Sequence, residues 1–366
     1  MKSVFQRFRK MHIWLLADLA LLALFMLVRT NRTLMNTVAD TIVDPFRRAA
    51  GRLCALTPIS VMEVLTVLLI LAAAAYTAWS IAAVVRAKGH RCQRAYSAIL
   101  FAVCAGLTLW IGCCLLWGIS YWTDSFQDKS GLRARPVELE DLQAVTSWFA
   151  SQLTAAADTV DRDENGLFAV PPEEILANSV HAYDGLTAQY PFLALEDTGV
   201  KAMYFSRLMS MLDLTGVYCA FTGESNVNTD SPACLLPSTV AHELGHQRGF
   251  ASEQECNFLA VLASTTCPDP AYAYSGWLMG YIYLGNALYS QNPDAYWAIR
   301  DALPEPVRMD LAYNNAYWAQ FQDTVVQKTS NKIHDGILKS YGDDRGIQSY
   351  GTVVDLLVAC YRPLAD

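Results

Sequence analysis

The stretch VAHELGHQRGFASEQECN, residues 240–257, decides how the chain is read. On a helix, His242 and His246 stand one turn apart on one face, and Glu243 lies on the neighbouring edge. Pro237 and Ser238 sit where such a helix would begin, and Gly249 can take the left-handed conformation that ends one. Two imidazoles on one face suit a single zinc ion. Zinc takes nitrogen and oxygen ligands in a tetrahedron, and a catalytic site uses three protein ligands so that one position stays open. Glu243 cannot easily bind the same ion from its place on the helix, but it can reach a water there, which is the role of the glutamate in H-E-x-x-H. The third ligand is expected just past Gly249. Glu253 and Asn257 are four residues apart and share a helical face, so Glu253 can bind metal while Asn257 braces a ligand histidine. Glu255 points elsewhere on such a helix and is the reserve candidate.

Upstream, GVYCAF (216–221) reads as a short strand, TGESNVN (222–228) as a turn or irregular edge, and a proline-bounded loop then leads to the histidine helix. Residues 136–161 place Leu139, Leu142, Val145, Trp148 and Phe149 at helical spacing, with acids at the start where the helix dipole favours them. DRDENG (161–166) has the alternating acids of a calcium loop but no glutamate at the twelfth position, so it reads as a solvated turn. Residues 267–289, CPDPAYAYSGWLMGYIYLGNALY, carry few charges. Their clean apolar part is short and rich in tyrosine, which favours a buried helix over a fourth membrane span.

The chain has 366 residues, 53% hydrophobic and 17% charged, with a mean hydropathy of +0.19, too apolar for an ordinary soluble protein of this size. The excess collects before about residue 122, in three runs at about 11–28, 59–85 and 98–122, each long enough to cross a bilayer at roughly 20 residues. Residues 123–366 hold most of the charge and can build a domain with its own core. Asp18 interrupts the first run and reads as a residue facing a neighbouring helix or a water defect, ahead of an intramembrane functional carboxylate. No small-x-small cleavage site follows that run, so it should stay as an anchor. Lys2, Arg7, Arg9 and Lys10 before the first run, and Arg86, Lys88, Arg91 and Arg94 between the second and third, prefer the cytoplasm. Three crossings then place residues 123–366 outside. Arg29, Arg32, Arg47, Arg48 and Arg52 argue the other way, but are spread along a longer loop.

The net charge of −8 discourages nucleic-acid binding. None of the ten cysteines forms a C-x-x-C pair, which argues against a cysteine zinc site. A Cys219–Cys234 disulfide is permitted outside the cell. His181 reads as a surface or packing residue, and His12 and His90 as interface residues beside membrane helices.

H-E-x-x-H followed by E-x-x-x-N, across the Gly249 turn, resembles the gluzincin metallopeptidases. That resemblance implies Glu253 as third zinc ligand and Asn257 as its support, with asparagine standing where many gluzincins have aspartate. Ser252 occupies the position of the third histidine of the metzincins, which excludes their ligand set. Together with FTGESNVN, the late SYGTVVDLL and the three apolar runs, the pattern resembles the bacterial membrane family called domain of unknown function 3810. The expected fold is mainly α: three transmembrane helices followed by a mostly helical, zincin-like α+β domain. The expected function is a zinc metallopeptidase of a bacterial-type cell membrane, held in the bilayer and acting on a peptide or protein outside the cytoplasm. The alternative is a catalytically silent zinc domain that senses or binds a partner. A transporter is disfavoured by the small number of spans. Asn226 and Asn228 are candidates for holding substrate on a sheet edge, as similar segments do in gluzincins, or for stabilising a turn. His334, Tyr341, Arg345 and Tyr350 are candidate donors to an oxyanion.

Overall fold

The computed structural model describes residues 4–341 and 350–365. It divides into two compact units, one comprising residues 1–50, 61–123 and 220–222, the other residues 51–60, 124–219 and 223–366.

The first unit is built on three helices, α1 (Arg9–Val28), α2 (Val61–Arg86) and α3 (Arg91–Leu116), each long and apolar enough to cross a membrane. They are the only such helices among the described residues. Their apolar side chains are mostly exposed, which is compatible with helices that meet lipid in place of a protein core. Polar contacts mark the seams between them. Thr108 Oγ1 on α3 donates to Asp18 Oδ2 on α1 at 2.8 Å, and Trp14 Nε1 donates to Thr108 Oγ1 at 2.9 Å. Asp18 is thus the buried residue facing a neighbouring helix. Tyr76 on α2 donates to the Ala98 carbonyl on α3 at 3.0 Å. The third helix lies earlier than the apolar run suggests, Arg91–Leu116 against about 98–122. Its polar first turn is helical all the same, while Gly118–Trp122 tighten into a separate 3-10 turn. Hydropathy locates the apolar window, whereas backbone hydrogen bonding sets the helix ends.

The second unit has one core. Helix α4 (Leu139–Ala156) buries Leu142, Val145, Phe149 and Leu153, the face that its spacing marks as apolar. A three-stranded sheet runs in the order β1 (Val200–Ala202), β3 (Glu224–Val227), β2 (Gly216–Cys219), with β1 parallel and β2 antiparallel to β3. The short helix α5 (Ser206–Met211) joins β1 to β2. After β3 come α6 (Leu236–Gln247), α7 (Glu253–Thr266), α8 (Pro270–Gln291), α9 (Glu305–Ala319) and, beyond a helix over Val325–Tyr341, α10 (Tyr350–Tyr361). Helix α8 is the stretch that invites reading as a fourth span. It buries Tyr272, Tyr274, Leu278, Tyr281 and Leu284 in this core, and close approach to α4 is possible because Gly280 leaves room for the Phe149 ring; a Cβ there would lie 2.8 Å from Phe149 Cδ1.

The acidic turn at 161–166 is closed by Asp163, whose Oδ1 accepts from the Asn165 and Leu167 amides at 2.9 Å each, with Gly166 at φ 80°. All ten cysteines are free thiols, so the permitted Cys219–Cys234 disulfide is not formed. The segment TGESNVN departs from expectation: its centre is not an irregular edge but β3, the middle strand, and the two edges are β1 and β2. Four consecutive buried residues mark a strand covered on both faces, which lacks the alternation of a half-exposed strand.

Candidate metal centre

Helix α6 carries Val240, Ala241 and Leu244 into the core, which turns His242 and His246 together toward its other side. The Nε2 atoms of these histidines are 3.1 Å apart. The chain reverses at Gly249, φ 93°, and Ser252 caps α7 by accepting from the Glu255 amide. Glu253, the first residue of α7, thereby returns to the histidines. Its Oε2 lies 3.2 Å from His242 Nε2 and its Oε1 3.6 Å from His246 Nε2. Two ligand atoms bound tetrahedrally at about 2.0–2.1 Å from one small ion are about 3.3 Å apart. The three observed separations match the edges of one face of such a tetrahedron, so His242, His246 and Glu253 fit a single ion with one side open.

The far nitrogens of both rings are anchored. His242 Nδ1 meets Asn257 Oδ1 at 2.8 Å, and His246 Nδ1 meets the Phe250 carbonyl at 2.8 Å. A carbonyl only accepts, so each Nδ1 carries a proton and each Nε2 is the atom offered to the shared point. Two nitrogens and a carboxylate converging in this way attract one positive charge. Burial by itself would lower the basicity of His246, but the neighbouring Cys256 sulfur and the Glu253 carboxylate outweigh it and hold its pKa well above the ordinary histidine value. Glu253 is driven the other way: burial opposes its charge, yet His246 and His242 hold its carboxyl well below the usual range.

Glu243 is buried, and its Oε2 has no hydrogen-bond partner among the described residues. Burial pushes its carboxyl up to about 7, although the two histidines pull it down. Its position is set from both sides. Ser225 Oγ on β3 donates to the Glu243 carbonyl at 3.0 Å, and Gly216 on β2 makes way for the side chain: a Cβ there would fall 2.7 Å from Glu243 Cδ and Cγ. Edge strand β2 therefore begins against the carboxylate.

Further groups hold α6 in place. Tyr183 donates to the Ala241 carbonyl at 2.9 Å, one residue before His242. Arg248, two residues beyond His246, forms a bidentate pair with Asp197 at 2.8 Å for each bond, donates from Nε to the Leu193 carbonyl at 2.9 Å, and stacks over the Tyr183 ring. Both charges of that pair are buried, and removing one partner of such a pair costs about 3–5 kcal/mol. Cys256 Sγ lies 3.2 Å from His246 Nδ1 and 3.3 Å from the Phe250 carbonyl. Burial pushes that thiol up to about 11, and it sits on the Nδ1 side of the ring, away from the convergent nitrogens.

The remaining candidates are placed elsewhere. Glu255 turns to α7's other side, where it accepts from the Phe126 and Gln127 amides at 3.0 and 3.2 Å. Asn228 donates to Ser210 Oγ at 2.8 Å and to the Leu214 carbonyl at 3.1 Å; it ties loops together. Asn226 is buried in the middle strand. Neither asparagine lies on an edge strand, because the edge beside Glu243 is β2. His181 pairs with Asp184 on the surface. His334 and Tyr341 fall on the helix Val325–Tyr341 and Tyr350 opens α10, but these side chains, and all of Arg345, lie outside the described residues.

Family comparison agrees with the wider sequence pattern. The model of the family described as Protein of unknown function (DUF3810) matches residues 39–358, and the chain belongs to that family. No curated protein and no solved structure matches it significantly.

Proposed function

We propose that this chain is a membrane-anchored zinc metallopeptidase of gluzincin type, with a zincin-like domain acting outside the cytoplasm. The observation that carries this reading is the meeting of His242, His246 and Glu253 at tetrahedral spacing beside the buried Glu243 Oε2, which no other described residue engages. A purely structural metal site has no use for such a base.

Bound there, zinc would act as a Lewis acid on a substrate carbonyl and on a water molecule. The chain's own groups supply the rest. Glu243 Oε2 takes a proton from the attacking water and passes it to the nitrogen of the leaving amine. An ionisation near neutrality suits a group that must both accept and release a proton. Asn257 and the Phe250 carbonyl keep the histidine rings in the tautomer that presents Nε2. Strand β2, an edge beside Glu243, offers a backbone against which an extended peptide can lie.

The topology rests on two supports. The basic residues flanking the first run and filling the loop between the second and third prefer the cytoplasm. Segments 51–60 and 124–219 fold into one unit, and the two spans between them return the chain to a single side. Metal analysis of the full chain in detergent tests the centre. One zinc per chain, lost in His246→Ala, is the expected result, and a wild-type protein that takes up no zinc would end the proposal.

A further inference from the structure

We infer that the second unit has a lipid-docking face of its own, separate from the membrane-spanning helices and made of the segment 51–60 together with α5. Two stretches of this unit expose large apolar side chains to a degree that packing does not require: Leu53, Leu56 and Ile59 in one, Tyr204, Leu208 and Met211 in the other. Leu56 is 83% and Tyr204 86% exposed. Clusters of this kind on a folded surface mark a place of contact.

One ion pair fastens the first stretch to the strand that leads into the second. Lys201 on β1 pairs with Glu224 on β3 at 2.7 Å, and the same ammonium donates to the Cys54 carbonyl at 2.7 Å and the Ile59 carbonyl at 3.0 Å. All three ammonium hydrogens are used, so the 51–60 segment is held to β1 at Cys54 and at Ile59. Tyr204 follows Lys201 by three residues, a chain reach of about 10 Å at most.

The bilayer is the occupant because of where the fastened segment goes next. Ile59 is two residues before Val61, the first residue of α2, and α2 has the length and hydropathy of a membrane span. A chain covers at most about 7 Å in two residues, so Ile59 lies within that reach of the first residue of the apolar helix, and Lys201, which donates to the Ile59 carbonyl, brings the strand that leads to Tyr204 beside it. Composition agrees: a tyrosine and long aliphatic side chains are joined by Arg52 and Arg207, both exposed, Arg52 in a surface pair with Glu196 and Arg207 in one with Asp230 while lying over the Phe321 ring. Such pairs are weak enough to yield to lipid phosphate. Aromatic and basic residues at the margin of an apolar surface are the composition of an interfacial anchor.

The test uses the full chain reconstituted in vesicles of phosphatidylethanolamine and phosphatidylglycerol. A benzophenone amino acid is placed singly at Leu208, at Leu56, at Leu68 on the exposed side of α2, and at Glu164 in the acidic turn. After irradiation, intact mass spectrometry reads lipid adducts. Adducts at Leu208 and Leu56 several-fold above Glu164, and comparable with Leu68, are expected. Labelling at Leu208 no higher than at Glu164 overturns the inference, as does crosslinking from Leu208 into a second copy of the chain in place of lipid. Absence of adducts at Leu68 as well would overturn it together with the membrane reading of α2. Circular dichroism of each labelled protein confirms that it has folded.

Discussion

Replacing Asn257 by leucine should weaken zinc binding without unfolding the site. The asparagine is not a proposed ligand; its Oδ1 accepts the Nδ1 proton of His242 at 2.8 Å. Leucine has nearly the same volume but cannot accept, so the His242 ring loses the partner that fixes both its orientation and its tautomer. The proposed ligands His246 and Glu253 are untouched, and His246 retains the Phe250 carbonyl, so binding should weaken rather than disappear. Loss of such a partner typically costs 10–100-fold in metal affinity, or about 1.4–2.8 kcal/mol. Asn257→Asp tests the same bond in the other direction: a charged acceptor makes the ring a stronger donor to metal, and affinity should rise above wild type. Competition of the purified full chain against a fluorescent zinc chelator measures all three proteins, with thermal melts in the apo state to confirm folding. The reasoning is refuted if Asn257→Leu, still folded, binds zinc as tightly as wild type.

Other consequences concern individual groups. Glu253→Ala should empty the centre of zinc, whereas Glu255→Ala should keep zinc and lower thermal stability, since the Phe126 and Gln127 amides lose their acceptor at about 1–3 kcal/mol for each buried group left unpaired; the opposite pattern in metal analysis would make Glu255 the ligand. Gly216→Ala should leave zinc content unchanged while turnover falls, because the added Cβ displaces Glu243 at a cost of about 1–3 kcal/mol of overpacking, and a fully active alanine variant would show that Glu243 is free to move. Zinc affinity should rise with pH. The raised pKa of His246 means that the metal-free pocket is protonated below that pKa, zinc must displace the proton, and competition ends only above it; calorimetry in buffers of different ionisation enthalpy reads the proton released, and zinc uptake without proton release near neutrality would contradict this.

The centre was more legible in the sequence than its surroundings. His242, His246, Glu253 and Asn257 belong to two helices with clear ends, and a period of 3.6 residues states which side chains share a face. The single turn at Gly249 left little freedom in how those helices meet. Three helices long and apolar enough to cross a membrane, and the burial of α8, could likewise be read from apolar length and tyrosine content. What could not be read depends on contacts between distant segments. Nothing in GVYCAF says that Gly216 will make room for Glu243, and the part of Phe250 that matters is its carbonyl, which has no sequence signature. Asn226 and Asn228 lie in a stretch that reads as a turn or irregular edge, but strand order is a tertiary property, and Glu224–Val227 form the central strand β3. Glu255 differs from Glu253 only by two positions on a helix. That rotation sends one carboxylate to the histidines and the other to the amides at Phe126 and Gln127.

The central claim is that Glu243 serves as the base in peptide hydrolysis. Glu243→Gln conserves shape and removes the base. Membranes carrying either the wild-type chain or this variant, each verified to hold one zinc, can be compared by the peptides they release over time. The account expects a set of peptides released by wild type whose rate of appearance falls at least about a hundredfold in the variant, the scale of a lost general base. Release of the same peptides at an unchanged rate by the zinc-loaded Gln variant would contradict it. A release pattern identical to that of membranes lacking the chain would favour the silent zinc-binding domain in its place.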